Sequence, residues 1–251
     1  MLEVRALDAR YGRAHVLHGI ELDVAAGEVV SLLGRNGAGK TTTLKAIMQL
    51  LPPAGGSIRF AGREIVGLAP WRVARLGIGY VPEERRIFSD LTILENLEVG
   101  RRALRSGEAE AFAAATTPGS GAPGAPAEWT IEALFELFPN LAERRHNRGK
   151  ALSGGEQQML SIARTLMGNP RLLLLDEPSE GIAPVIVEEL AETLIRLKGE
   201  GLTVLLSEQN LHFARAVADR AVIIESGERK FAGSLAELAA RPDIRDAFLA
   251  L

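Results

Sequence analysis

Three clusters of residues in this chain have the types and spacing to do phosphate chemistry. The first is Gly34-Arg35-Asn36-Gly37-Ala38-Gly39-Lys40-Thr41, which fits the GxxxxGK[ST] pattern of a phosphate-binding loop. Glycines let the backbone curl so that successive N–H groups point inward at phosphate oxygens. A helix starting near Gly39 would aim the positive end of its dipole at the same place. Lys40 would add a full positive charge for the β- and γ-phosphates, and the Thr41 hydroxyl could ligate Mg2+. Thr42 offers a further hydroxyl at the helix start. A plain glycine turn is the alternative, but the strand before and the helix after are the context that phosphate binding requires.

The second cluster is Asp176-Glu177 at the end of the apolar run Leu172-Leu173-Leu174-Leu175. In an open α/β sheet, ligands sit at the carboxyl ends of the strands. Asp176 there could hold Mg2+, directly or through water. Glu177 could accept a hydrogen bond from an attacking water and orient it toward a γ-phosphate. The third cluster is Leu152-Ser153-Gly154-Gly155-Glu156-Gln157-Gln158. Ser153 and Glu156 have capping-box spacing. The two glycines leave the first backbone N–H groups of the following helix open to an anion. That helix is expected to end at Gly168, with Pro170 beyond.

The elements that must position these residues can be read from periodicity. Strands are expected at 2–9, 20–24, 29–33, 77–81, 172–175, 203–207 and 221–224. Helices are expected at 39–50, stopped by Pro52-Pro53, and at 184–198. Strands alternating with helices argue for a mostly parallel sheet. Residues 84–168 are mainly helical in pattern and read as an inserted lobe of a single domain over 1–251. Within it, 106–128 includes a Gly/Pro/Ala/Ser-rich stretch at 116–126 with nothing to bury, expected to be a flexible loop.

Composition sets the outer bounds. The 251 residues include 47% hydrophobic and 24% charged, an ordinary balance for a globular α/β chain. The net charge is -3, so no basic face points to nucleic acid. There are no cysteines, which excludes disulfides and thiolate metal sites and fits a cytosolic protein. The start, Met1-Leu2-Glu3-Val4-Arg5, lacks the apolar core of a signal peptide. No apolar stretch approaches the roughly 18 residues that span a bilayer, so any pore is expected on another chain.

The P-loop, then LSGGEQQ, then LLLLDEP, in this order, resembles the ATPase subunit of ABC transporters over essentially the whole chain. The resemblance implies an α/β P-loop NTPase fold with a mostly parallel core sheet, an antiparallel β subdomain and the helical lobe. It implies ATP and Mg2+ as ligands. It implies two subunits face to face, each ATP lying between one P-loop and the other subunit's signature helix. Ser153, Gly154, Gly155 and Glu156 would then contact nucleotide held by the partner. Tyr11 would stack on adenine, where an aromatic π-face suits a base; otherwise it is a half-buried strand aromatic.

Three positions depart from the common family pattern. Glu83 follows Val81-Pro82 where Gln is common, Ala183 stands where Asp is usual, and Gln209 replaces the switch histidine. Together, YVPEERRIF, DEPSEGIAP and SEQN are similar to one of the two ATPases of branched-chain amino acid uptake systems. Related importers carry other small organic solutes. That likeness implies a second ATPase as partner, as a heterodimer with a homodimer as the alternative. It also implies two permeases, an indirect solute-binding protein and a place on the cytoplasmic face of the membrane. Glu83 would keep an oxygen ligand for Mg2+. Gln209 can hydrogen-bond a γ-phosphate but cannot carry the charge of a histidine, so slower hydrolysis is expected at this P-loop. His212 is the nearest histidine and reads as structural. The apolar and basic mix at 71–88 could dock on membrane helices, or Trp71 and Ile87 could fill the lobe core. Two other functions fit less of the chain: a mainly regulatory ATP-binding subunit, and a soluble ABC ATPase of repair or translation.

Overall fold

The computed structural model describes residues 1–101 and 129–248. The loop expected at 106–128 lies outside the described residues. Two sheets are stacked. The smaller is antiparallel, with β1 (Leu2–Tyr11), β2 (Ala14–Val24), β4 (Gly55–Phe60) and β5 (Arg63–Glu64) in the order β2-β1-β4-β5. The larger is six-stranded, with β3 (Val29–Leu33), β6 (Ile78–Val81), β7 (Leu172–Asp176), β8 (Thr203–Glu208), β9 (Arg220–Glu225) and β10 (Glu228–Ser234) in the order β10-β9-β3-β8-β7-β6. All its neighbours pair in parallel except β10, which is antiparallel to β9.

The continuous apolar runs are explained by burial on both faces of that sheet. Side chains alternate across a strand. Leu173 and Leu175 of β7, with Val204 and Leu206 of β8, pack into a core shared with the helical lobe. Leu172, Leu174 and Leu205 pack on the other face, against the antiparallel sheet and α1 (Lys40–Ile47). Each fully buried leucine of this kind contributes about 1.5–3 kcal/mol. A third, smaller cluster joins Leu33 and Ile223 to the C-terminal helices.

Some boundaries differ from the sequence expectation, for identifiable reasons. β2 begins at Ala14, well before 20, because it pairs with β1 down to Tyr11↔Ala14. His15, His18 and Gly19 lack the pattern of a strand and are held as one by that partner. α1 stops at Ile47, short of 50. Gln49 adopts φ +58, and its side chain accepts from Gly67 N–H at 2.9 Å while donating to Ala46 O at 2.8 Å. A tertiary contact therefore ends the helix before the prolines do.

α2 (Pro70–Arg75) precedes β6, and the described residues of 84–168 include α3 (Ile93–Gly100), α4 (Ile131–Leu137), α5 (Pro139–Glu143) and α6 (Gly154–Leu166). α6 ends at Leu166, and the left-handed residue after it is Asn169, not Gly168. Beyond β7 come α7 (Pro184–Gly199), α8 (Leu211–Val217), α9 (Leu235–Ala239) and α10 (Pro242–Phe248). No helix among the described residues is long and apolar enough to cross a membrane.

Asn96 in α3 is fully buried and pins the loop after β6. Its Oδ1 accepts from Phe88 N–H at 2.9 Å, and its Nδ2 donates to Phe88 O at 3.0 Å and Thr92 O at 2.9 Å. Asn96→Ala strands those backbone groups away from water, so a loss of about 2–3 kcal/mol is expected. Urea unfolding of the variant beside the parent checks it.

Candidate functional site

The site forms where parallel strands end side by side. Leu33 of β3 is level with Glu208 of β8, Asp176 of β7 with Ser207 of β8, and Val81 of β6 with Leu175 of β7. Gly34, Gln209, Glu177 and the segment leading to Glu83 therefore emerge along one edge of the sheet. This is the edge where α/β sheets bind ligands.

After Gly34 the chain turns through exposed Arg35, Asn36 and Gly37 to buried Ala38, Gly39 and Lys40. Gly39 has φ +111, and a Cβ on it would lie 2.7 Å from Leu17 Cδ2. Only glycine fits there, and it starts α1 with its N–H groups facing the loop. Lys40 Nζ donates to Gly34 O at 2.7 Å and Arg35 O at 3.1 Å, and it lies 3.1 Å from Glu177 Oε1. Those three oxygens satisfy the three donors of an ammonium group. A phosphate entering the loop would have to replace some of them. Thr42 is buried at the start of α1.

Asp176 is buried and accepts three hydroxyl groups. Thr41 Oγ1 at 2.9 Å and Ser207 Oγ at 2.7 Å donate to its Oδ1, and the Tyr80 hydroxyl donates to Oδ2 at 2.9 Å. Burial, then the Asp176 charge, raises the Tyr80 phenol well above its usual range, so it stays a donor. Glu177 has φ +46, an uncommon conformation for a residue with a Cβ. Its N–H is held by Ser207 O and Oγ, each at 3.1 Å. Gln209 Nε2 donates to Glu177 Oε2 at 3.1 Å and to Glu180 Oε2 at 3.3 Å.

The carboxylates crowd one another. A hydrogen bond with Glu177, then burial, then the charges of Glu177 and Glu83 push the Glu180 carboxyl up to about 7, with Lys40 opposing. Burial, then the charges of Glu177 and Asp176, raise the Glu83 carboxyl. Hard oxygens of Thr41, Asp176 and Glu83 at a site short of positive charge suit Mg2+. Among the described residues no three His, Cys, Asp or Glu side chains form a metal-holding group.

The helix α6 has its expected capping box. Glu156 N–H donates to Ser153 Oγ at 3.3 Å, and Ser153 N–H donates to Glu156 Oε2 at 2.8 Å. Glu156 also pairs with Arg144 at 2.9 Å. Gly155 packs so closely on α7 that a Cβ would lie 2.7 Å from Ile186 Cγ2. A Cβ at Gly154 would lie 2.9 Å from an Nη of Arg85. Ser153 to Glu156 thus form a separate capped helix start, outside the bonds that join Lys40, Asp176 and Glu177.

The family model described as ABC transporter matches residues 17–180. This chain belongs to the ABC transporter family. As an ABC cassette it binds nucleotide and is an ATPase whose hydrolysis is coupled to transport. It is 41% identical over 249 residues to the high-affinity branched-chain amino acid transport ATP-binding protein BraG of Pseudomonas aeruginosa, covering 99% of both chains. It is 34% identical over 249 residues to the lipopolysaccharide export system ATP-binding protein LptB of Acidithiobacillus ferridurans, covering 99% of this chain and 96% of that one. A solved structure described as the ATP binding subunit of an ABC transporter matches with a TM-score of 0.77 at 30% identity, covering 99% of this chain and 96% of that one.

In this cassette Tyr11 lies at the tip of the β1–β2 hairpin and is 47% exposed. Ala183 is the N-cap of α7 and makes no side-chain cap bond. His212 is exposed on α8 and fills no core. Ile87 packs against the lobe core, while Trp71 and Phe88 are exposed. Arg72 and Arg75 lie over the Trp71 ring, 5.1 and 4.9 Å from its centre. Sequence reasoning passed over Tyr80, Arg85, Glu180, Ser207 and Glu208. Ser207 and Glu208 did give a signal, since polar residues ending a buried apolar strand need partners.

Glu180 makes a pH prediction. Its carboxyl is raised from 4.5 to about 7 in the folded chain, so the folded state holds a proton there that the unfolded state releases. That contribution to stability is complete below the unfolded value and is lost as pH rises through about 7. Glu180→Gln removes the titration. The variant should gain thermal stability over the parent at pH 8 but not at pH 5, as melting curves at both values would reveal; equal shifts would refute the crowding.

Proposed function

We propose that this cassette powers an importer of branched-chain amino acids or a related small organic solute. The observation that carries this is the full-length likeness to BraG, together with Gln209 and Glu83 at positions where the common family pattern has His and Gln. In this reading the chain pairs with a second ATPase, as a heterodimer or else a homodimer. It docks on two permeases at the cytoplasmic face of the membrane, and a solute-binding protein supplies the cargo. The exposed Trp71, flanked by Arg72 and Arg75, is the surface suited to meet membrane helices.

ATP enters with its adenine on Tyr11 and its β- and γ-phosphates in the loop 34–41. Lys40 exchanges some of its present oxygens, Glu177 among them, for phosphate oxygens, which frees the Glu177 carboxylate. Thr41, Asp176 and Glu83 would hold Mg2+, whose charge neutralises the phosphate oxygens. Glu177 orients water on the γ-phosphate, and the Gln209 amide donates a hydrogen bond to that phosphate. Ser153, Gly154, Gly155 and Glu156 complete the site on the partner's nucleotide. Loss of the γ-phosphate removes the contacts that hold the dimer shut.

Steady-state ATP hydrolysis by the chain, alone and with its partner ATPase, tests this. Glu177→Gln in this chain should lower turnover about 100-fold or more at its own site. Turnover indifferent to Glu177→Gln would instead favour a regulatory subunit. Gln209→His should raise turnover in the assembled complex, and an unchanged rate would remove the idea that the missing charge slows this site. Tyr11→Ala should weaken ATP binding by about 1–3 kcal/mol, measured by equilibrium titration with labelled nucleotide.

A further inference from the structure

Glu208 is a buried acid that the reaction outlined above does not use. It is the last residue of β8 and is 1% exposed. Its Oε1 accepts from Ser179 N–H at 3.0 Å. Its Oε2 accepts from Gln209 N–H and Asn210 N–H, each at 3.2 Å. The first donor belongs to the loop that leaves Glu177. The other two belong to the loop that presents Gln209.

We infer that Glu208 is a positioning residue that ties the Glu177 loop to the Gln209 loop and sets both against the γ-phosphate. This rests on the roles given to Glu177 and Gln209 above. The residue type follows from the donors. Three N–H groups from two loops need acceptors at both ends of one side chain, and only a carboxylate offers two acceptor oxygens. A glutamine has one oxygen and would turn its NH2 on one loop, donor against donor. A buried carboxylate is costly unless it is well hydrogen-bonded; burial raises the Glu208 carboxyl, and the bonds from Ser179 and Asn210 offset part of that cost.

The position also explains how a neutral Gln209 is kept in place. Gln209 Nε2 bridges Glu177 and Glu180. Glu208 holds the Gln209 main chain, while Ser207 on the same strand holds the Glu177 N–H and the Asp176 carboxylate. Consecutive residues of β8 therefore fix the metal-side acid, the water-side acid and the phosphate-side amide relative to one another. When the γ-phosphate leaves and Gln209 moves, the Ser179 loop moves with it through the Glu208 carboxylate.

The test is ATP hydrolysis by the assembled transporter carrying Glu208→Gln, beside Glu177→Gln, Gln209→Ala and the Glu208→Gln/Gln209→Ala double variant. Binding of labelled ATP to the purified chain is measured in parallel. Glu208→Gln should keep ATP affinity within about twofold and lower kcat about ten- to hundredfold, as expected for misplaced reacting groups. The double variant should be no slower than the slower single one, because Glu208 acts through Gln209 and the Glu177 loop. Wild-type kcat in Glu208→Gln, or losses that multiply in the double variant, would overturn the inference while an inactive Glu177→Gln left the catalytic reading intact. An active Glu177→Gln would instead overturn that reading, and this inference with it. Should Glu208→Gln fail to fold, Glu208→Asp keeps the charge but is one methylene too short to reach both loops. It should also lose turnover with ATP binding kept, and a wild-type rate in it would count against the tie.

Discussion

The Asp176 carboxylate bonds to three elements around it. Thr41 reaches it from α1, Ser207 from β8 and Tyr80 from β6. β7 itself is Leu172 to Leu175 before the acid, apolar on both faces. A strand of that kind has no pattern to set its register, since a slip by one residue leaves leucine facing each core. The three hydroxyls supply the missing instruction. They hold Asp176 level with Ser207 and so place Glu177 beyond the strand end, next to Lys40.

The site built on that anchor is held under electrostatic tension. Glu83, Asp176, Glu177 and Glu180 gather near the buried Lys40 ammonium group; burial and neighbouring charges raise the carboxyl of Glu83, and a hydrogen bond with Glu177, then burial and repulsion, raise that of Glu180. Glu177 adds a left-handed backbone at φ +46. Such strain persists where surrounding structure over-determines it. The Ser207 bonds to the Glu177 N–H do so here. A divalent cation and a phosphate together would relieve the crowding, because one neutralises the acids and the other engages Lys40.

The loop after β6 links this edge to the lobe. Arg85 and Arg86 both have positive φ. Their carbonyls accept from α6: Ser161 Oγ donates to Arg85 O at 2.7 Å, and an Arg164 Nη donates to Arg86 O at 2.8 Å. Asn96 holds the far end of the same loop. The segment carrying Glu83 is thus bonded at Arg85 and Arg86 to α6, the helix capped by Ser153, and at Phe88 to α3.

Much of this was legible in the sequence. The phosphate loop, the acidic strand end and the capped glycine helix each follow from residues close together in the chain, where local chemistry decides the conformation. The parallel sheet followed from apolar runs alternating with helices. The contacts that tune the site were not legible, because their partners are distant in sequence. Tyr80 and Asp176, Thr41 and Asp176, and Glu208 and Ser179 meet only after the strands align. β2 beyond its apolar end and the stop of α1 at Ile47 were likewise decided by contacts with β1 and with Gly67. Sequence alone determined which groups this protein can bring to a triphosphate, because motif spacing is a local property of the backbone. Tertiary structure alone decided how those groups hold one another, because hydrogen bonds and charge repulsion depend on distances that only packing sets.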